Sequence, residues 1–260
     1  QPGWTWDDLA AFGKEVHDKS GGKVAGVSDP GSTWAAFQSW LYQRGKDLYT
    51  TDGELGFTQA DLEGFWNFCT SLRKSGAATP ANVTATLPNG PAEDPLAKGT
   101  AAAEWDYDSV FASHVAATKD KLVLVPLPTV DGRTGMYAKP SMLLSVYAGS
   151  EHPREAAQLL DFLINDPEAA DALGTSRGLN PNLAVRKAKS VTVTGTDKAV
   201  FDFEAASASG MGPTPPAPPK GDGQLLTLMQ RLYGAVSFGQ QSVPAAAEDF
   251  MAQAEQALAK

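Results

Sequence analysis

The sequence predicts an α/β fold that is rich in helix and contains a mostly parallel sheet. Short apolar or β-branched runs alternate along the chain with segments whose apolar residues recur at helical spacing. The length of 260 residues suits one large domain or two lobes, and it can bury a sizeable core. With 42% hydrophobic and 20% charged residues, the composition is that of an ordinary globular protein.

The first part of the chain is predicted to form three helices around one short strand. Thr5 and Asp8 have the spacing of a capping box, which marks the start of the first helix. The same spacing recurs in Thr58 and Asp61, at the start of a later helix. Between these two helices lie the β-branched run KVAGV (23–27), a predicted strand, and the helical segment WAAFQSWLYQRG.

The rest of the chain is predicted to alternate strands and helices. KLVLVPLP (121–128) and SMLLSVYA (141–148) are short apolar runs and are predicted to be strands. Pro153 and the pair Asp166-Pro167 each mark a helix start. Further helices are predicted near 181–189, 196–208, 222–236 and 244–259. The proline-rich connector at 211–223 is predicted to be extended.

The charge balance argues against binding to nucleic acid or to an anionic membrane surface. The formal net charge is −9, the calculated pI is about 4.8, and lysine and arginine do not cluster. No apolar run reaches the roughly 18 residues of a membrane helix, and no signal peptide is visible. The one cysteine, Cys69, excludes an internal disulfide and is expected to be a buried apolar residue.

Common catalytic and cofactor motifs are absent from the sequence. It contains neither a glycine-rich phosphate loop nor a G-x-S-x-G nucleophile motif. His17, His114 and His152 are scattered and lack a second ligand at metal-binding spacing, so they are expected to be ordinary surface or helix residues. We therefore expect no metal and no cofactor.

The stretch AAAEWDYDSV (101–110) places aromatic rings and carboxylates where a short strand should end. Ligands of α/β folds gather at the carboxyl ends of strands, and indole faces stack on sugar rings while acids pair with hydroxyls. Trp34 and Trp105 are therefore candidate sugar contacts, with a purely structural role as the alternative. Asp106 is a candidate ligand contact and Asp108 a helix cap, although this pair could instead serve glycoside hydrolysis. Trp40, Trp66 and Phe65 lie on helices and are expected in the core.

An ordered series of segments resembles the extracellular solute-binding proteins of carbohydrate ABC importers, the family of maltose-binding protein. The series comprises PGWTWDDLAAFGKEV, WAAFQSWLYQRGKDLYTTDGELGF, LAKGTAAAEWDYDSV, LVLVPLPTVDG, AKPSMLLSVYAGSEHPREAAQLLDFLINDPEAADALGTSRGLNPN and AAAEDFMAQAEQALAK. It extends over essentially the whole chain and is most similar to oligosaccharide-binding members.

The resemblance implies a periplasmic-binding-protein-like, two-lobed fold of type II with an incomplete first lobe. Residues 1–136 would form the main part of the second lobe, 137–180 a first-lobe segment, and 181–260 the return to the second lobe. Hinge crossovers are expected near 128–138 and 176–182, which are Gly/Pro-bearing connectors. The strand at 141–148 would lack its usual neighbours, which another segment or a second chain would have to supply.

The resemblance also assigns ligand-binding positions. These are Trp34, Trp105, Asp106, Tyr107, Lys139, Ser141, Met142 and Arg177. In the family, Ser-Asn-Gln is more usual where this chain has Asp106-Tyr107-Asp108, so the resemblance does not identify the ligand.

The implied function is capture of a sugar in an interlobe cleft and delivery to the permease subunits of an ABC transporter. The protein would be non-enzymatic, monomeric when complete, and extracellular, as a periplasmic protein or a lipoprotein anchored upstream of residue 1. A glycoside-processing enzyme that uses the strand-end carboxylates is the alternative. An interaction module that recruits a partner through the proline-rich connector is a second alternative.

Overall fold

A computed structural model describes residues 3–85, 91–140 and 142–258. The chain divides into two compact units. Unit 1 comprises Gln1–Trp105, Pro126–Ala138 and Gly210–Lys260, and unit 2 comprises Asp106–Val125 and Lys139–Ser209. The chain therefore passes from one unit to the other four times.

The unit boundaries differ from the predicted lobe boundaries. Most of the predicted segment 137–180 lies in unit 2, but unit 2 also contains 106–125 and 181–209, which the prediction places in the other lobe. The predicted crossover at 128–138 ends where the chain leaves unit 1, whereas the one at 176–182 lies inside unit 2. Which unit corresponds to which lobe stays a prediction.

The described residues contain eleven α-helices, of which α1–α4, α10 and α11 belong to unit 1 and α5–α9 to unit 2. Their bounds are α1 Trp6–Lys19, α2 Trp34–Tyr42, α3 Gln59–Ser75, α4 Ala81–Thr84, α5 Phe111–Ala117, α6 Pro153–Asn165, α7 Pro167–Leu173, α8 Leu183–Ser190, α9 Gly195–Ser207, α10 Asp222–Ser237 and α11 Val243–Leu258. Helices were predicted at all of these places except the short α4.

Both predicted capping boxes are confirmed. At the start of α1, the Asp8 amide donates to the Thr5 hydroxyl at 3.2 Å, and the Thr5 amide donates to the Asp8 carboxylate at 2.8 Å. The Thr58 amide donates in the same way to the Asp61 carboxylate at 2.8 Å, at the start of α3. Each box satisfies helix-end donors that would otherwise lack partners, so the sequence fixes where these helices begin.

The predicted strand KVAGV lies in the middle of a short parallel arrangement in unit 1. The backbone of 25–28 hydrogen-bonds to 77–79 on one side and to 100–103 on the other. Helix α1 comes so close to this segment that a Cβ on Gly26 would lie 2.1 Å from the Cα of Gly13. Glycine at both positions is what allows the helix to pack directly on the strand backbone.

The core of unit 1 is built from aromatic side chains on α2, α3, α10 and α11. Its largest fully buried members are Trp66, Tyr233, Phe37, Phe65 and Phe250. Trp40 and Cys69 are also buried, as predicted, and burial raises the pKa of the Cys69 thiol. Helix α11 packs on both α10 and α3, which holds the C-terminal helices to this core.

The strands predicted at 121–128 and 141–148 do not form paired strands in the described part of the chain. Residues 121–125 and 142–146 have no regular secondary structure, and no backbone–backbone hydrogen bond joins them to another described segment. An extended run becomes a strand only when a neighbour accepts and donates its backbone hydrogen bonds. The prediction of strands at these two places was wrong because an apolar sequence pattern does not show whether a neighbouring strand is present.

Within the described residues, no helix has the length and apolar character needed to cross a membrane.

Candidate functional site

The predicted ligand-binding residues are divided between the two units. Trp34 and Trp105 belong to unit 1. Asp106, Tyr107, Lys139, Met142 and Arg177 belong to unit 2, and Ser141 lies outside the described residues.

Trp34 is a core residue. It is the first residue of α2, is only 8% exposed, and packs against Phe37, Phe57 and Phe250. Its indole N–H donates to the Asp222 carboxylate at 3.2 Å. Both the ring and its polar atom are therefore engaged within unit 1, which argues against the predicted ligand contact and for the structural alternative.

Trp105 is half-buried and held in one orientation. Its ring stacks on Trp6 with centroids 5.7 Å apart and planes 22° apart. Its indole N–H donates to the Ser28 carbonyl at 2.8 Å, and the Ser28 hydroxyl donates to the Glu104 carboxylate. Trp105 lies two positions after the hydrogen-bonded segment 100–103, near the strand end that the sequence predicted. A fixed, part-exposed indole at a strand end is suited to stacking on an apolar ligand face.

Tyr107 and Lys139 are brought together in unit 2. The Lys139 ammonium donates to the Tyr107 hydroxyl at 3.1 Å and lies 5.0 Å from the centroid of its ring. Tyr107 is 41% exposed and Lys139 is also exposed. The pair offers an aromatic surface with an ammonium donor beside it, a combination that can bind polar and apolar parts of one small molecule.

Asp106 contacts His114, a residue that was not among the predicted site residues. One carboxylate oxygen lies 2.9 Å from Nε2 of His114, which is buried on α5. The other accepts from the Tyr107 amide at 2.7 Å. His114 was expected to be an ordinary helix residue, and nothing in a separation of eight positions indicates this contact. It fixes the carboxylate while leaving its side chain 37% exposed.

Met142 and Arg177 form a second contact in unit 2. The Arg177 guanidinium lies 3.8 Å from the Met142 sulfur, and both side chains are exposed. The resemblance predicts that both residues bind the ligand. The structure brings Met142 and Arg177 into contact, just as it brings Tyr107 and Lys139 into contact.

Asp108 belongs to a charged cluster that sequence reasoning missed. Asp108 hydrogen-bonds to Glu204 on α9, and the positive charge of Arg186 on α8 interacts electrostatically with the same glutamate. Burial and the Asp108 carboxylate raise the pKa of Glu204 to about 7, against a smaller opposing effect of Arg186. The N-cap residue of the short 3₁₀ helix Asp108–Val110 is Tyr107, and that of α5 is Val110, so Asp108 does not occupy the helix-cap position predicted for it.

No group of three or more histidine, cysteine, aspartate or glutamate side chains is arranged to hold a metal ion among the residues that the structure describes.

The sequence profile of bacterial extracellular solute-binding proteins matches residues 1–170, well over half of the chain. The chain belongs to this family. Solute-binding proteins of the family are extracellular or periplasmic. The predicted two-lobed, periplasmic-binding-protein-like fold class is thereby confirmed.

Solved structures resemble this solute-binding protein over nearly its whole length. An extracellular solute-binding protein of family 1 from Alicyclobacillus acidocaldarius is 29% identical with a TM-score of 0.83, and the match covers 99% of this chain and 65% of that chain. A periplasmic oligogalacturonide binding protein from Yersinia enterocolitica, in complex with saturated digalacturonic acid, is 22% identical with a TM-score of 0.82 and coverages of 99% and 67%. A maltose/maltodextrin-binding domain from Bdellovibrio bacteriovorus, bound to maltotriose, is 20% identical with a TM-score of 0.69 and coverages of 100% and 67%.

This solute-binding protein thus spans less than two thirds of the length of the Alicyclobacillus protein.

Proposed function

We propose that this protein binds a sugar or oligosaccharide and serves as the substrate-binding component of an ABC importer. Membership of the solute-binding family is the observation that carries the proposal. The fold is shared with a digalacturonic acid complex and a maltotriose complex, which supports a carbohydrate as the ligand class. The partners would be the permease subunits of the transporter, and the protein would act outside the cytoplasmic membrane, free in the periplasm or lipid-anchored.

Each unit, taken by itself, carries groups suited to a sugar. In unit 1, Trp105 offers a ring that Trp6 and the Ser28 carbonyl hold in place. In unit 2, Tyr107 offers an exposed ring, and Asp106, Lys139 and Arg177 offer charged hydrogen-bonding groups, with Met142 against the arginine. Ser141 keeps its proposed role on the resemblance alone. Trp34 is buried, so we do not include it among the residues that would contact the sugar.

The test is isothermal titration of the purified chain with a panel that includes digalacturonic acid, maltotriose and glucose. Binding of one class is expected, together with a rise in melting temperature, because a ligand at about 100 times its Kd adds about 2.7 kcal/mol of stability. No binding across acidic and neutral oligosaccharides would overturn the proposal.

The same titration samples separate binding from catalysis. Chromatography of the sugar after overnight incubation is expected to recover it unchanged. The carboxylates of the enzymatic alternative already have protein partners, since Asp106 contacts His114 and Asp108 contacts Glu204. Release of shorter saccharides that stops in an Asp106→Asn variant would favour the enzyme instead.

A further inference from the structure

Gln43 is a buried polar residue at the end of α2 in unit 1. It is the C-cap residue of this helix and is only 2% exposed. Its amide oxygen accepts from the Trp6 indole N–H at 2.7 Å, and its amide nitrogen donates to the carbonyls of Pro128 at 2.6 Å and Thr134 at 2.9 Å. A glutamine amide has two N–H donors and one carbonyl oxygen, so all of its polar groups are engaged. A buried and fully satisfied polar group of this kind fixes the geometry of its partners.

The two carbonyls that accept from Gln43 belong to the two arms of one tight turn, 128–134. Val130 and Arg133 exchange backbone hydrogen bonds of 3.0 and 2.9 Å, which close the turn. Directly after it, a Cβ on Gly135 would lie 2.2 Å from a backbone oxygen of α2, so the chain here packs closely on the helix. One glutamine side chain therefore ties both arms of the turn to the end of α2.

The oxygen of the same glutamine amide orients Trp6, the residue that supports Trp105. The rings of Trp6 and Trp105 are stacked with centroids 5.7 Å apart. Trp40 and Phe68 pack edge-on against Trp6, with centroids 5.3 and 5.2 Å away. Such apolar packing is non-directional, whereas an N–H···O hydrogen bond has a preferred distance and angle. The bond to Gln43 is thus the contact that sets the orientation of the Trp6 ring.

We infer that Gln43 is a positioning residue for sugar binding, which acts through Trp6 on Trp105. The inference rests on the proposed function and adds to it a buried residue that does not itself face the ligand. Trp105 is held at two places, at its N–H by the Ser28 carbonyl and at its ring by Trp6. If Trp6 can turn, the Trp105 ring can tilt about its remaining hydrogen bond. A ring that is already fixed loses less freedom when a ligand stacks on it, so the loss of this support should weaken binding.

The test compares Gln43→Met with Gln38→Met in the full chain. Methionine is similar in length to glutamine but lacks its N–H donors. Gln38 is the matched control, because it is also a buried glutamine on α2, but its amide donates to Asp47 at 3.3 Å. Gln43→Met should weaken binding of the sugar found in the panel by roughly tenfold, and Gln38→Met should change it by less than about twofold. Melting curves show that both variants are folded at the temperature of titration.

A double-variant titration separates positioning from a general loss of structure. In the Trp105→Ala background, Gln43→Met should cause no further loss of affinity, because its effect on the sugar passes through the missing ring. Trp6→Phe is the second variant for the case that Gln43→Met does not fold. It keeps a ring beneath Trp105 but has no N–H for Gln43, and it should weaken binding in the same direction.

Near-ultraviolet circular dichroism gives a readout that needs no sugar, because it reports fixed aromatic packing. The difference between the unchanged protein and Trp105→Phe isolates the signal of the stacked indole. Gln43→Met should lose most of this signal, whereas Gln38→Met should retain it.

Three outcomes would overturn the inference. They are unchanged sugar affinity in folded Gln43→Met, equal losses of affinity in the two glutamine variants, and a full further loss when Gln43→Met is added to Trp105→Ala. A chain that binds no sugar of the panel refutes the proposed function instead. In that case the indole signal decides, and an unchanged signal in Gln43→Met would show that this glutamine does not position Trp105.

Discussion

At the scale of single residues, the two tryptophans predicted to bind sugar have opposite environments. Trp34 lies within the aromatic core and its indole N–H is used by Asp222. Trp105 is half-buried, with one ring face on Trp6 and its N–H on a backbone carbonyl. Both positions lie near a strand end in the sequence, so position alone could not separate them. The difference arises because α2 starts at Trp34 and turns that ring inward among Phe37, Phe57 and Phe250.

Substitution of the two tryptophans should therefore have different consequences. Trp34→Ala should destabilise the protein by about 3–5 kcal/mol, because it removes a large buried ring. Trp105→Ala should weaken binding of the sugar found in the panel by roughly 1–3 kcal/mol, the range for losing an aromatic anchor. Urea unfolding and isothermal titration measure the two effects. Trp105→Phe retains a ring but not the N–H to Ser28, and it should keep most of the affinity; unchanged affinity in Trp105→Ala would place the sugar elsewhere.

The position of Asp106 could be predicted from the sequence, but its contact with His114 could not. The acid was selected for its place after a strand, and the structure indeed leaves it part-exposed there. Its partner His114 lies one helix further along and has no sequence feature that distinguishes it from His17 or His152. Pairs of this kind depend on how α5 packs, which a local pattern does not contain.

At the scale of secondary-structure elements, a buried ion pair ties α3 and α10 to the turn after the central strand segment of unit 1. The Arg73 guanidinium lies 2.8 Å from the Asp29 carboxylate, and the Tyr233 hydroxyl donates to the same carboxylate at 2.8 Å. Asp29 also accepts from the Gly31 amide at 3.0 Å, which begins the 3₁₀ turn Pro30–Ser32. The Asp29 side chain is fully buried, so its charge depends on these donors.

Arg73→Met should cost about 3–5 kcal/mol of unfolding free energy, because it leaves the Asp29 carboxylate buried without its cation. The double variant Asp29→Asn/Arg73→Met should recover part of this loss, since the uncompensated charge is gone. Lys14→Met is the matched control: its ion pair with Asp18 on α1 is half-exposed and should contribute at most about 1 kcal/mol. Equal losses for the Arg73 and Lys14 variants in urea unfolding would contradict this account.

The contact between α9 and Asp108 should make stability depend on pH. The pKa of Glu204 is raised from 4.5 to about 7, chiefly by burial and then by the Asp108 carboxylate. The folded protein therefore holds a proton that the unfolded chain releases, and stability should fall as pH rises from about 4.5 to about 7.

Glu204→Gln keeps the hydrogen-bonding shape of the side chain and removes its titration. The variant should match the unchanged protein near pH 4.5 and exceed its melting temperature above pH 7, where the carboxylate of the unchanged protein is ionised beside Asp108. Melting curves across this range test the difference. Glu155→Gln, at an exposed position on α6, is the control and should leave the profile unchanged. A Glu204→Gln profile parallel to that of the unchanged protein would show that this contact does not control the pH dependence.

At the scale of the whole molecule, the two units differ in how much apolar surface they bury. Unit 1 contains nearly all of the buried hydrophobic residues in the described part of the chain. Unit 2 contains five of them: Phe111, Ala169, Ala170, Val185 and Val200. Its larger apolar residues are mostly exposed or half-buried, including those of 121–125, 142–148 and α6.

This contrast explains which parts of the fold the sequence could predict. The capping boxes and the helices depend on local spacing, and the 23–27 strand segment has its neighbours within unit 1; all of them are present. The strands at 121–128 and 141–148 have an equally clear apolar pattern, but pairing requires a second backbone that the pattern cannot specify. The boundaries of the compact units likewise follow from packing, so 106–125 and 181–209 lie in unit 2 without a local sequence signal that marks them.

Native-state amide exchange should therefore find two levels of stability in one chain. Local stability follows buried apolar contact, so amides in α3, α10 and α11 should exchange slowest, whereas those in α6 and α8 should exchange faster by orders of magnitude. Mass spectrometry after timed exchange in deuterated buffer measures this by peptide. Equal protection of the helices of both units in the chain alone would mean that the exposed apolar residues of unit 2 do not weaken it.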